Sequence, residues 1–407
     1  MNPQPIIQKQ IFAVLFTVVA TSGFLQAYTV ASQSNTLSSK NAAEAVSLKE
    51  PSIYDKIWGL ATLYKNKGNP IIEELSLTGE IFSQWADGTS NRGSYNSGDM
   101  PAASRWGDID VPVFRIGLNA QLLGLLRLNA VLDVNPNWNP FYKDIYELNL
   151  TYAPNDAFNL GVGKQKGRYF TQEYSTRTRE LLEFNQSLLV NALVPRGLTG
   201  VWVTGKINRW VYALAGYAGD YETELAKFNA GAVVQASLGY DFASALGADK
   251  ALLRLDYQGS SSASNSFGPA NFDNALSLNT TYQKGRVGFY SDLLGATGRG
   301  SQGDVWGVIL TPSYFLIDQK LQVIFRYQYA HGDNNGLKLQ TRYESLAPDI
   351  RGTKSIGSDY SAAYLGLNWY LYGHKLKVMS GLEYSDLEGG PKNFSGWTYF
   401  AGLRLAF

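Results

Sequence analysis

Between Lys164 and Arg196 the sequence gathers six basic side chains, Lys164, Lys166, Arg168, Arg177, Arg179 and Arg196, against three acids, Glu173, Glu180 and Glu183. Fixed positive charge in a confined mouth of low dielectric raises the local concentration of anions, so the chemistry on offer is attraction rather than bond making. Local pairing is the competing reading. Arg179 and Glu183 stand four apart, the spacing of an ion pair on a short helix. Catalytic signatures are weak: His331 and His374 are the only histidines, one in a long loop and one in a tight turn, where solvation is expected. The sequence has no H-E-x-x-H, P-loop or G-x-S-x-G motif, and residues 331–336 (HGDNNG) lack the spacing of a calcium loop. No enzyme activity and no cofactor are expected. The absence of cysteine excludes disulfides and thiolate metal sites.

Such side chains need a scaffold, and the sequence supplies one of period two. In the last segment Trp397, Tyr399, Ala401, Leu403, Leu405 and Phe407 alternate with Thr398, Phe400, Gly402, Arg404 and Ala406. Side chains alternate faces along a strand, so the first row suits an apolar medium and the second a wet interior. Leu321, Val323, Phe325, Tyr327 and Tyr329 repeat the pattern opposite Gln322, Ile324, Arg326 and Gln328. The same parity puts Arg115, Arg127, Arg254, Arg286, Arg326, Lys375, Lys377 and Arg404 inside, facing Glu80, Asp133, Glu147, Asp256, Asp292 and Glu383. Eight bases against six acids is a mild positive bias. These charges belong inside, because Arg or Lys facing lipid near mid-bilayer costs about 2–4 kcal/mol.

Sixteen such segments are expected, near 75–85, 111–122, 125–134, 144–153, 156–166, 197–206, 209–218, 231–242, 250–259, 273–283, 285–295, 304–314, 319–330, 359–371, 374–385 and 395–407. Most have the length of about 10 residues that a tilted strand needs to cross hydrocarbon. Short connections (Leu123-Gly124, Asn155, Asn208, Gly373) alternate with long ones (86–110, 167–196, 331–358), and an even count lets the strands close antiparallel. The expected fold class is therefore all-β, a transmembrane antiparallel barrel over residues 75–407. A barrel of sixteen strands leaves an aqueous channel unless something narrows it. The connection 167–196 is the expected constriction, since Leu181, Leu182, Leu188, Leu189 and Val190 would pack it on an inner wall.

The preceding residues read as an export segment and a leader. Lys9, the apolar run Ile11 to Ala20 and small residues around Ala27 fit a cleaved signal peptide over 1–27. Residues 28–74 form a leader with a short periplasmic helix over 53–65, started by the S-x-x-D of Ser52 and Asp55. Without residues 1–27 the chain holds thirty-four bases and thirty-four acids, a balance that exerts no pull on nucleic acid.

The stretch from Gly68 to Gly205 resembles the porin O and P family, the phosphate-selective porins. The resemblance rests on LSLTGEIFSQWADG from Leu75, FRIGLNAQLLG from Phe114, and the G-K-x-K end of a strand at Gly163 to Lys166. It continues through SLLVN at Ser187 to Asn191 and TGV at Thr199 to Val201. It implies a homotrimeric outer-membrane porin whose third long loop folds inward and whose terminal Phe407 resembles the signal read during barrel insertion. It also implies small hydrophilic solutes or anions as partners, phosphate among them, and outer-membrane lipid around the barrel. Family members select phosphate with an arginine row and a lysine cluster; here acids interrupt the row. Two other functions fit a barrel: a surface anchor or adhesin with a closed lumen, and an outer-membrane enzyme.

Overall fold

Successive side chains that alternate between greasy and polar fold into successive strands. The computed structural model describes residues 52–90, 104–166, 168–195, 197–219, 224–225, 231–261, 271–339, 342–348, 350 and 355–407. The expected signal peptide 1–27, the leader as far as residue 51, and Arg196 lie outside the described residues. The first eight strands are β1 (Ile72–Ser90), β2 (Ser104–Leu122), β3 (Leu126–Val134), β4 (Tyr142–Asn155), β5 (Phe158–Lys166), β6 (Gly197–Ile207), β7 (Trp210–Ala218) and β8 (Ala232–Asp241). The rest are β9 (Lys250–Ser260), β10 (Phe272–Lys284), β11 (Val287–Gly298), β12 (Val305–Ile317), β13 (Leu321–Gly332), β14 (Asp359–Tyr372), β15 (Leu376–Glu388) and β16 (Phe394–Ala406). Each pairs antiparallel with the next, and β16 returns to β1 with Leu403 opposite Ser83, so the sheet closes.

All sixteen expected segments are strands. β1 and β2 run longer than expected and stay paired as far as Ser90 opposite Ser104. Asp87, Gly88, Thr89 and Ser90 interrupt the apolar row there, so the period-two signal fades while the backbone ladder continues and Ala86 and Trp106 stay buried inside. At the other end of β2, Leu123 and Gly124 both take positive φ (51° and 71°), the turn whose twist matches a two-residue hairpin.

The faces sort as the alternation requires. On β16 Trp397 and Tyr399 are exposed outside, while Thr398, Phe400 and Arg404 are buried inside. Leu255, Leu276, Leu293 and Leu365 stand more than half exposed on the outer wall, whereas Arg326 and Lys377 are fully buried. Charge inside an apolar mantle inverts the arrangement of a protein built for water. No described helix is long and apolar enough to cross a membrane.

The expected helix 53–65 is corrected. Helix α1 spans Ile53–Gly59, and Thr62–Lys65 then forms a short strand on β1, with Lys65 opposite Glu74. The cause is an open edge. β16 ends opposite Glu80, which leaves the start of β1 without a partner on that side. The short strand fills it, with Leu77 donating to the Ala61 carbonyl at 2.7 Å and Asn66 to that of Glu73 at 2.8 Å. Trp58 Nε1 donates to the Ala406 carbonyl at 2.6 Å, and Tyr54 stacks on Tyr372 at 5.4 Å, so α1 lies at the rim beside the chain end.

Candidate functional site

Residues 168–195 carry enough apolar side chains to leave water, and they do so inside the barrel. Phe170, Leu188, Leu189, Val190 and Leu193 are buried in one cluster with the wall residues Leu294, Ile309, Ala330 and Leu387. Full burial of each such side chain stabilises by about 1.5–3 kcal/mol. Leu337, Leu339, Ala347 and Ile350, from the connection between β13 and β14, join the same cluster. Part of the interior beside β10–β16 is therefore filled by a packed apolar cluster.

Polar wall side chains bind the main chain of this inner segment. Lys377 Nζ and Arg404 Nη1 both donate to the Leu181 carbonyl at 2.7 Å, and Asn368 Nδ2 donates to that of Leu182 at 2.9 Å. The Gln172 amide donates to the Asp292 carboxylate at 2.9 Å, and Leu188 donates to Gln328 Oε1 at 2.9 Å. Arg254 is held by Asp256 at 2.8 Å and donates to the Thr171 carbonyl at 2.8 Å. Groups buried this deeply need partners, and here the two surfaces satisfy each other.

At the centre lies a charged network. Arg326 bridges Glu173 of the inner segment at 3.0 Å and Glu383 of β15 at 2.8 Å. Glu173 accepts from the Ser187 amide and hydroxyl, at 2.9 and 2.7 Å. Arg342, from the second inner stretch, pairs with Glu344 at 2.9 Å and with Glu383, and donates to the Gln186 carbonyl at 2.9 Å. Burial raises the Glu183 carboxyl above the usual range, against the pull of Arg326. Arg342 and Glu344 escaped the sequence reading, because a loop has no parity to place them.

The expected anion-attracting residues divide into paired and open. Lys164 pairs with Asp144 at 3.0 Å and Arg168 with Glu147; Lys166 sits over the Tyr174 ring at 4.2 Å. Arg115 is held by Asp133 at 2.8 Å and Glu80 at 3.0 Å. Arg326, Lys377, Arg404 and Arg254 are the clamps just described. Lys375 is corrected: it lies in the exposed turn before β15, 5.4 Å over the Tyr372 ring, because β15 begins only at Leu376. The Arg179–Glu183 pair of the competing reading does not form. Residues 178–180 make a single 3-10 turn, Leu181 is extended, and Arg179 instead reaches Glu180 at 3.9 Å. Arg127, Arg177 and Arg286 are exposed and have no side-chain partner among the described residues; Arg286 is corrected in place, since it lies in the turn between β10 and β11 rather than on a strand, where it lines a cavity.

The histidines also differ from expectation. His331 stands 2.9 Å from Asp359. His374, expected in solvent, packs edge-on against Tyr370 at 5.2 Å, and its Nδ1 is buried without a partner among the described residues. Burial, with Lys377 nearby, pulls this imidazole down to about 3.

Open space remains at four places inside the barrel. A cavity of about 630 Å³ holds Arg127, Arg168 and Arg254, and one of about 370 Å³ adds Asn129, Asn149 and Tyr169. A third, of about 230 Å³, holds Arg115, Arg177 and Asn119. Arg286 lines a fourth of about 360 Å³, on the β10–β14 side, together with Glu180 and Asp292. The interior thus holds polar cavities, with Arg127 and Arg177 unpaired in them and Arg286 sharing its cavity with Glu180 and Asp292.

No family model and no curated protein matches the chain. Solved structures do. The anion-selective porin from Comamonas acidovorans aligns with a TM-score of 0.56 at 12% identity, over 82% of this chain and 99% of that one. Pseudomonas putida OprB aligns with a TM-score of 0.55 at 12% identity, over 82% and 94%. Salmonella typhi OmpF, solved with daunomycin, gives 0.55 at 10% identity, over 85% and 100%. The chain has the porin fold. At these identities the likeness is one of backbone.

Proposed function

We propose that the protein is an outer-membrane porin through which small hydrophilic solutes diffuse passively, with a mild preference for anions. The observation that carries this reading is the split of interior charge. Most bases are matched by carboxylates or spent on main-chain carbonyls, while Arg127, Arg177 and Arg286 face the passage without partners among the described residues. Unmatched guanidiniums in a narrow, low-dielectric passage favour chloride, phosphate and organic anions over cations. The interleaved carboxylates keep that preference weak.

The apolar outer wall supports the membrane location, and export would proceed through cleavage of residues 1–27. The resemblance supports association of three copies through outward apolar residues, and a role for Phe407 in insertion. Reconstituted in a planar bilayer under a KCl gradient, the protein is expected to conduct ohmically, with a reversal potential of the sign for chloride. Cation preference would overturn the role of the open arginines. A second reading has one observation in its favour: the packed apolar cluster beside β10–β16 would suit a closed surface anchor. Absence of conductance would establish that reading instead.

A further inference from the structure

The wall of β2–β5 presents a polar row with unused hydrogen-bonding capacity. Cross-strand register sets Asn119 opposite Asn129, and Asn129 opposite Asn149. The next rung sets Gln121 opposite Arg127, and Arg127 opposite Thr151. Asn119, Arg127, Asn129, Asn149 and Thr151 line three adjoining cavities of about 230, 370 and 630 Å³, and Arg168 borders all of them. The amide nitrogens of Asn129 and Asn149 are committed, to Glu147 and to the Lys164 carbonyl respectively. Among the described residues, their oxygens accept no bond, and the side chains of Asn119, Arg127 and Thr151 have no partner.

The row therefore combines free amide oxygens, a free amide, a free hydroxyl and one open guanidinium about two residues away along the strands. An unpaired guanidinium recognises a carboxylate with paired N–H donors. Amide oxygens and a hydroxyl recognise several hydroxyl groups in line. The volumes fall within the range of about 300–1,000 Å³ typical of small-molecule sites, or just below it. Rings also line these cavities, Tyr146, Tyr169 and Tyr212 among them, and Trp202 lies buried over Gly161.

We infer that this wall is a transit site for polyhydroxylated carboxylates, the sugar acids, with Arg127 taking the carboxylate and the Asn119–Asn129–Asn149 row taking the hydroxyls. The inference rests on the channel reading above and names a substrate class for it. Both halves are needed: a simple carboxylate engages only the guanidinium, and a neutral sugar only the amides.

The test uses the purified full chain in a planar bilayer in KCl. Potassium gluconate is titrated on one side, with acetate, glucose and inorganic phosphate as comparators. A solute that dwells in the passage reduces chloride conductance along a saturating curve. Gluconate is expected to half-block at a concentration roughly tenfold below each comparator, since losing one charged hydrogen-bonded contact weakens binding by about that factor. Arg127→Gln is expected to bring gluconate down to the level of glucose, and Asn129→Ala with Asn149→Ala to the level of acetate. Equal block by gluconate and phosphate would overturn the inference in favour of a general anion site. Equal block by gluconate and glucose would overturn the role of Arg127. Both comparisons use the wild-type chain and stand even if a variant fails to fold. Complete absence of conductance would instead defeat the channel reading on which the inference rests.

Discussion

Arg404 holds the main chain of Leu181: its Nη1 donates to that carbonyl at 2.7 Å, and the Lys377 ammonium donates to the same oxygen at the same distance. Two wall cations thus meet on one carbonyl, and neither faces a solute. Positive charge on an inner wall serves here as a tether for the inner segment.

Removing a tether should loosen that segment. Arg404→Gln removes the donor to the Glu183 carbonyl and one of the two on Leu181, and Lys377→Met removes the other on Leu181; a lost buried bond costs about 1–3 kcal/mol. Single-channel records of either variant are expected to show larger conductance and more frequent current fluctuations than the parent. A trace indistinguishable from wild type would refute the tethering role.

Charge selectivity should follow pairing rather than position. Arg177→Gln and Arg286→Gln each remove an open guanidinium and are expected to move the reversal potential toward zero. Lys164→Gln combined with Asp144→Asn removes a matched pair, 3.0 Å apart, and is expected to leave the potential in place. The opposite ranking would show that paired charge sets the field.

The seam between the last strand and the first depends on a missing side chain. The Phe407 amide and carbonyl exchange hydrogen bonds with Gly79 at 3.0 Å, and a Cβ on Gly79 would lie 2.4 Å from the Phe407 ring. Gly79→Ala should push the ring aside and weaken closure by about 1–3 kcal/mol. Heat-dependent gel mobility after refolding in detergent should show a lower folded fraction. Adding Phe407→Leu should recover part of it; strictly additive losses would refute the contact.

His374 should make the barrel sensitive to acid. Its folded value of about 3 lies below the value of about 6.5 for a free imidazole. Between those values the unfolded chain holds a proton that the folded chain does not, so stability is complete above about pH 6.5 and falls as pH drops through the window. Urea unfolding in micelles between neutral and mildly acidic pH should show a steeper loss for the parent than for His374→Gln. Identical slopes would mean that the ring is protonated in the fold.

The sequence alone determined what depends on local order. Period-two alternation, as in Trp397 to Phe407, assigns each side chain to a face, and sixteen such runs with alternating short and long links specify a closed antiparallel barrel. It also marked 167–196 by its leucines. It could not show that helix α1 stops at Gly59, because that stop answers an edge left open by β16, a distant element. Nor could it show which lumen charges are matched. Arg115 meets Glu80 and Asp133 only through the register of three strands, and Arg326 meets Glu173 only because the inner segment crosses the barrel. Parity places a charge on the inner face; cross-strand register and the path of the inner segment decide whether it binds a carboxylate, a main-chain carbonyl or a passing solute.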